Sequence, residues 1–289
     1  MEDTKLDVQP VIARREVTNR ILKAFHLRAD KNLGQNFLVE ESVVNRIAAA
    51  AELTPQDKVL EIGPGIGTLT QALARTGAQV TSVELDKRLL PVLAETVGCY
   101  ENVRIVQGDI LKTDIPALMG DGPFKVAANL PYYITTPIIM NLLERKLPLE
   151  RLVVMVQKEV AERMTAPPGG REYGAISVAM QYYTEPQTAF LVKAGSFLPP
   201  PKVDSAVLVC RRRMEPPVDV PDEKTFFRIV AAAFSVRRKM LTNSLKHMDG
   251  LSGDDVRAWL AAAGIDGTRR AETLSLEEFA ALARAYAAR

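Results

Sequence analysis

At 289 residues, with 47% hydrophobic and 25% charged side chains, the chain has the composition of a folded globular protein and a length that suggests two domains. Its 37 Lys and Arg against 35 Asp and Glu leave a net charge of +2, so any basic surface for a polyanion must be local. Two cysteines (Cys99, Cys210) and two histidines (His26, His247) exclude a disulfide-stapled scaffold and a His/Cys metal cluster; metal-dependent and Ser-His-Asp chemistry are poor readings.

Residues 1–5 are acidic and polar with no apolar stretch behind them, so no secretory signal is expected and a cytoplasmic location follows. The longest apolar runs, such as 152–156, are strand length, far below the roughly 18 residues of a membrane span. After a helical stretch at 40–52, short β-branched runs alternate with helical periods from Lys58 to Val209, the pattern of a mostly parallel, Rossmann-like α/β sheet covered on both faces. The runs predict strands at 58–62, 79–84, 103–107, 124–128, 151–156, 187–193 and 204–210, with helices at 66–76, 86–97, 135–146 and 174–183. The loop 195–202 is too short for a helical crossover, so the last two strands are expected to be antiparallel. Pro216, Pro217 and Pro221 then interrupt the chain. They divide it into a catalytic domain, 1–215, with a helical amino-terminal extension over 1–35, and a small helical domain, 216–289. In the latter, helices are expected at 222–234, 238–247, 254–263 and 275–287, the last opened by a capping-box pair, Ser275 and Glu278.

Directly after the first strand comes Glu61-Ile62-Gly63-Pro64-Gly65-Ile66-Gly67. Taken alone, such glycines serve equally well as a turn; the spacing is not that of dinucleotide folds, and no Lys follows as in a phosphate loop. Two carboxylates favour a ligand site. Glu84 ends the second strand, where it can accept from both hydroxyls of a ribose, and Asp109 follows the third, where it can accept from an adenine amino group. An adenosine-type ligand without phosphates fits, and S-adenosylmethionine meets that description.

The fourth strand ends at Asn129-Leu130-Pro131-Tyr132. Pro131 holds Leu130 extended, so its carbonyl can stand beside the Asn129 side-chain oxygen as a second acceptor. Two acceptors on the hydrogens of a delocalised amine favour its pyramidalisation as a methyl group arrives, and no strong base is needed. Tyr132 is placed to stack on the target base, against the alternative of a core tyrosine in a turn. In the proline-stiffened loop 197–205, Phe197 is either a second wall for that base or a core side chain. Arg14, Arg15, Arg20, Lys23 and Arg28 form one basic group and Arg237, Arg238, Lys239 and Lys246 another; each is either a solvated face or an RNA contact. By composition, residues 35–38 read as a helix entry.

Together these residues resemble the ribosomal RNA adenine dimethyltransferase family, in particular its bacterial small-subunit members. The likeness runs from Asn32-Leu33-Gly34-Gln35-Asn36-Phe37-Leu38 through the glycine loop, Glu84, Asp109, Asn129-Leu130-Pro131-Tyr132, Gln157-Lys158-Glu159-Val160 and Tyr173-Gly174 to Pro200-Pro201-Lys202-Val203-Asp204-Ser205-Ala206. It continues at 233–239 and 243–245 and so covers about residues 30–287, departing at Met240 and Thr242, where relatives often carry Thr and Arg. The resemblance implies a class I methyltransferase fold and S-adenosylmethionine-dependent dimethylation of the exocyclic amine of two adjacent adenosines near the 3′ end of 16S rRNA. The implied partner is an immature small ribosomal subunit, linking the activity to ribosome biogenesis, with no membrane, no metal and a monomeric state. It also implies donor contacts from Asn36, Leu38, Gly63, Gly65, Gly67, Glu84, Asp109 and Asn129, and target-base roles for Asn129, Leu130, Pro131 and Tyr132. Alternatives are a large-subunit adenine methylase, whose members usually carry Asn-Ile-Pro-Tyr, and an assembly factor with secondary catalysis.

Overall fold

The computed structural model describes residues 10–30, 33–236, 238–248 and 250–289. Residues 1–9, Asn32 of the resemblance motif and Arg237 of the second basic group lie outside the described residues. In chain order the elements are α1 (Arg15–Ala24), β1 (Phe37–Leu38), α2 (Glu41–Ala50), β2 (Lys58–Ile62), α3 (Thr68–Ala74), β3 (Gln79–Glu84), α4 (Leu90–Thr96), β4 (Val103–Gln107), α5 (Ile115–Met119), β5 (Phe124–Asn129), α6 (Thr135–Glu144), β6 (Leu149–Gln157), α7 (Lys158–Thr165), α8 (Ala175–Tyr183), β7 (Thr184–Val192), β8 (Phe197–Leu198), β9 (Ser205–Arg212), α9 (Glu223–Phe234), α10 (Leu241–Ser244), α11 (Gly253–Ala262) and α12 (Leu276–Ala287).

Seven strands form one sheet in the order β4-β3-β2-β5-β6-β9-β7. The pairs β3/β4, β2/β3, β2/β5 and β5/β6 are parallel. Strands covered on both faces read as unbroken apolar runs, and β2, β5 and β6 are buried along most of their length. The order reverses at β2: its partners are β3 on one side and β5 on the other, and open α/β sheets hold ligands outside the carboxyl ends of the strands at such a point. Register carries the argument further. Ile62 pairs with Val83 and with Ala128, and Glu84 pairs with Gln107, so the chain leaves β2, β3, β4 and β5 at nearly one level.

Contacts divide the chain into two compact units, 1–158 with 188–210, and 159–187 with 211–289. Residues 159–187 therefore group with the carboxy-terminal helices, whereas the sequence reading put them in the first domain. In the first unit, Val43, Val44 and Ile47 of α2 and Leu69 and Leu73 of α3 pack with Val59, Val80 and Val153 of the sheet. In the second, Trp259, Phe226 and Phe279 are fully buried, and the Trp259 indole donates to the Leu282 carbonyl at 2.8 Å. The expected capping box is present, with Ser275 accepting from Glu278 N–H and Glu278 from Ser275 N–H. The helix read at 238–247 begins only at Leu241, because Met240 is extended and Leu241 N–H donates to the Arg269 carbonyl outside the helix.

The residues read as a helix entry, 35–38, instead supply a two-residue strand. Phe37 pairs with Leu198 and Leu38 with Phe197, antiparallel. Phe197 is 1% exposed and packs in the core with Leu38, Val192 and Val207, which corrects its reading as a wall for the target base. A two-residue strand cannot hold itself by backbone pairing, so its burial must come from side chains such as this one. Phe197→Ala is expected to lower unfolding stability by about 3–5 kcal/mol in urea denaturation; an unchanged midpoint would show that Phe197 carries no core packing.

Candidate active site

A cleft opens at the carboxyl ends of β2, β3, β4 and β5, lined by residues 33–38, the glycine loop, Glu84, Leu85, Asp109, Ile110 and 129–134. Of the residues singled out in the sequence, Asn36, Leu38, Gly63, Gly65, Glu84, Asp109, Asn129, Leu130, Pro131 and Tyr132 all line it. Gly67, expected to contact the donor, and Phe197 are not among its lining residues. Arg238, Lys239 and Lys246 are exposed residues of the second unit.

Gly63 has φ +69°, and a Cβ there would meet no protein atom within 4 Å, so its backbone borders open space in the cleft. Gly67 is required for a different reason. At φ +90° it caps α3, and a Cβ would stand 2.8 Å from Val97 Cγ1 and 3.0 Å from Thr96 Oγ1, so the loop packs directly on the end of α4. Between them, Gly65 N–H donates to Glu84 Oε2 at 3.1 Å, while Asp86 N–H donates to Oε1 at 2.8 Å. Glu84 is 5% exposed, and burial pushes its carboxyl up despite these two hydrogen bonds. It fixes the glycine loop and faces the cleft with the same group. Asp109 is oriented by Leu111 N–H at 3.1 Å.

The amino-terminal wall was not legible as structure in the sequence. Gln35 Nε2 donates to Asp86 Oδ2 at 2.9 Å and Asp30 N–H donates to Gln35 Oε1 at 2.9 Å. Arg88 binds both Asp86, at 2.7 Å, and Asp30, at 3.0 Å, and its hydrogen bonds hold the Asp86 carboxyl below the usual range. The clamp ties the segment before β1 to the turn that follows Glu84. Asn36 completes the connection, its carbonyl accepting from Asn129 Nδ2 at 3.4 Å. With its amide nitrogen turned to Asn36, Asn129 presents its oxygen end as the acceptor.

Tyr132 is half-buried and its hydroxyl lies 2.7 Å from the fully buried Ser205 Oγ. Burial raises its phenol above the ordinary value, so it remains neutral. The run 200–206 thus contributes Ser205 as the anchor of the tyrosine ring. Asp204 closes the same loop, accepting from Ala194 N–H at 3.0 Å and Lys193 Nζ at 2.8 Å.

Among the described residues no Lys, Arg or His lines the cleft, and its charged liners are the carboxylates Glu84 and Asp109. Thr68 also lines it, with a buried hydroxyl that has no partner among the described residues. These features fit a cationic, phosphate-free nucleoside: acceptors for ribose and adenine, a polar group left for a tail, and no counter-charge for phosphate. Leu85 and Ile110, directly after the two carboxylates, add apolar surface on which an adenine ring can lie. Neither belongs to a motif that the sequence marks. Among the described residues no group of three His, Cys, Asp or Glu is placed to hold a metal ion, and no helix is long and apolar enough to cross a membrane.

Beneath the glycine loop lies a further acid. Glu61 is 1% exposed; its Oε2 accepts from Thr70 Oγ1 at 2.7 Å and Ser82 Oγ at 2.6 Å, and its Oε1 has no partner among the described residues. Burial, only partly offset by the two hydroxyls, pushes its carboxyl up to about 7 from 4.5.

The chain matches the family model described as ribosomal RNA adenine dimethylase over residues 26–288. Curated relatives named ribosomal RNA small subunit methyltransferase A include those of Enterococcus faecalis, 48% identical over 95% of this chain and 96% of the relative, and Alkaliphilus metalliredigens, 46% identical over 94% and 96%. Among solved structures, the 23S rRNA methyltransferase ErmE matches with a TM-score of 0.68 and 30% identity, over 86% of this chain and 99% of that one. A dimethyladenosine transferase from Plasmodium falciparum matches with 0.69 and 25%, over 85% and 95%.

Between pH 4.5 and 7 the folded state keeps a proton on Glu61 that the unfolded chain has lost, so this contribution to stability is complete below 4.5 and gone just above 7. Relative to Glu61→Gln, the wild-type chain is therefore expected to lose about 3 kcal/mol across that window. Denaturation of both proteins at a series of pH values checks this, and parallel pH profiles would refute it.

Proposed function

The chain belongs to the ribosomal RNA adenine dimethylase family, and we propose that it transfers methyl groups from S-adenosylmethionine to the exocyclic amines of two adjacent adenosines near the 3′ end of 16S rRNA. The observation that carries this reading is the placement of Asn129 beside Gly63: adjacent paired strands end there, so a target amine held by Asn129 lies next to the space bordered by the glycine loop.

When bound, S-adenosylmethionine supplies an electrophilic methyl group on a sulfonium. Glu84 accepts from the ribose hydroxyls, Asp109 and the apolar faces of Leu85 and Ile110 receive the adenine, and Gly63, Thr68 and Asn36 border the amino-acid end. Asn129 Oδ1 and the Leu130 carbonyl accept from the two hydrogens of the target amine and favour the pyramidal nitrogen of the transition state. Pro131 keeps Leu130 extended. Tyr132, fixed by Ser205, gives a rigid face for the target base, and its neutral phenol neither donates charge nor takes the proton. The nitrogen loses its extra proton to water once methylated, so no general base is assigned.

The large-subunit reading has support in the match to ErmE. Two features favour the small subunit: 48% identity to a small-subunit relative against 30% to that enzyme, and Leu130 in place of isoleucine. We assign the immature small subunit as substrate and a monomer as the working species. Arg238, Lys239 and Lys246 are assigned to RNA phosphates, a role their exposure permits.

The test offers labelled donor to undermethylated small subunits, large subunits and naked RNA and maps the modified bases. Label at paired adenosines of the small subunit is expected, and label confined to large subunits would overturn the reading. Asn129→Ala is expected to slow transfer by roughly 100-fold or more while donor binding stays measurable by calorimetry. Equal loss of both would move Asn129 to the donor site alone.

A further inference from the structure

We propose that Tyr133 forms a second nucleobase subsite at the mouth of the cleft, stacking the nucleotide that adjoins the target adenosine. The inference rests on the rRNA-adenine reading above and names a contact that reading leaves open.

Two consecutive tyrosines lie in the turn after β5 and are treated differently by the fold. Tyr132 is turned inward, its hydroxyl bound to Ser205. Tyr133 lines the same cleft but is 56% exposed, one of a few large apolar side chains left open to solvent among the described residues. A lone exposed apolar side chain is ordinary; an exposed aromatic ring on the rim of a nucleoside-sized cleft is placed where a ligand can cover it.

The ring is also braced. A Cβ on Gly34 would stand 3.4 Å from Tyr133 Cδ1 and 3.7 Å from Cε1, so the Gly34 backbone sits close to that part of the ring. Ile134 N–H and Thr135 Oγ1 both donate to the Pro131 carbonyl, at 3.2 and 3.0 Å, which closes the turn carrying both tyrosines. The result is an exposed aromatic ring on the rim of the cleft, with the Gly34 backbone close to it.

The chemistry that matches such a ring is an unstacked nucleobase. Drawing an adenine out of an RNA strand breaks its stack with its neighbour, and the exposed π-face of that neighbour needs a new partner. A ring next to the target-base position supplies it whatever the base, because stacking does not depend on the hydrogen-bonding edge. For a substrate with two neighbouring adenines, this subsite holds one splayed while the other lies in the cleft.

The test compares wild type, Tyr133→Ala, Tyr133→Leu and Tyr133→Phe on undermethylated small subunits, with donor affinity measured separately by calorimetry and folding by thermal denaturation. Loss of one base–aromatic stack is expected to raise KM for the particle about 5- to 150-fold in the Ala and Leu variants. Over the same series kcat and donor affinity should stay within about twofold, and Phe should restore wild-type KM. Unchanged KM in Tyr133→Ala overturns the inference, as does a parallel loss of donor affinity, which would make the ring a mere support for the Gly34 loop. The wild-type arm separates the two claims: if wild type labels no small subunit, the underlying reading fails and the subsite with it, whereas active wild type with an indifferent alanine variant removes the subsite alone.

Discussion

Parallel register at β3, β2 and β5 is the constraint on which the site depends. Because Ile62 faces both Val83 and Ala128, the glycine loop, Glu84 and Asn129 emerge from adjacent strands at one level. No loop has to be long to bring them together. A slip of one residue in β2 would turn every side chain of that strand to the opposite face and carry Glu61 out of its hydroxyl cage while moving Gly63 away from Asn129. The buried hydroxyls of Thr70 and Ser82, both held on Glu61 Oε2, tie β2 to α3 and to β3 and so lock that register from beneath.

The other wall of the cleft is built by short-range polar contacts laid over one apolar anchor. Phe37 and Leu38 pair with the strand containing Phe197, and the segment before them is clamped through Gln35, Asp86, Asp30 and Arg88. Arg88 is about half exposed, so its pairs with the buried Asp86 and with Asp30 are screened by solvent on one side, and the clamp is better understood as setting position. It links the turn after Glu84 to Asn36, whose carbonyl meets Asn129. The Glu84 side and the Asn129 side of the cleft are therefore connected through a few hydrogen bonds.

The strands of the sheet and the residues at their carboxyl ends were legible because periodicity and strand-end chemistry are local: Gly63, Glu84, Asp109 and Asn129 stand where the alternation of β-branched runs and helical periods puts them. What escaped was set by tertiary contact. Residues 35–38 carry no strand period of their own and become extended only by pairing with 197–198. Phe197 reads as a loop aromatic until the core around it is seen, and the short helices α5 and α7 are too brief to show a period. The role of Ser205 as the partner of Tyr132 spans 73 residues and leaves no local mark. Leu85, Ile110 and Tyr133 leave no local mark either: apolar side chains near strand ends gain meaning from the cleft they border.

The central claim is that one in-register sheet edge holds a sulfonium donor beside an amide that grips an amine. A crystal structure of the chain with S-adenosylhomocysteine bound tests it most directly. The ribose hydroxyls should lie within hydrogen-bonding distance of the Glu84 carboxylate, with the sulfur facing the Asn129 side of the cleft across open space. A ligand whose ribose lies away from Glu84, or whose sulfur is sealed from Asn129 by side chains, would contradict it.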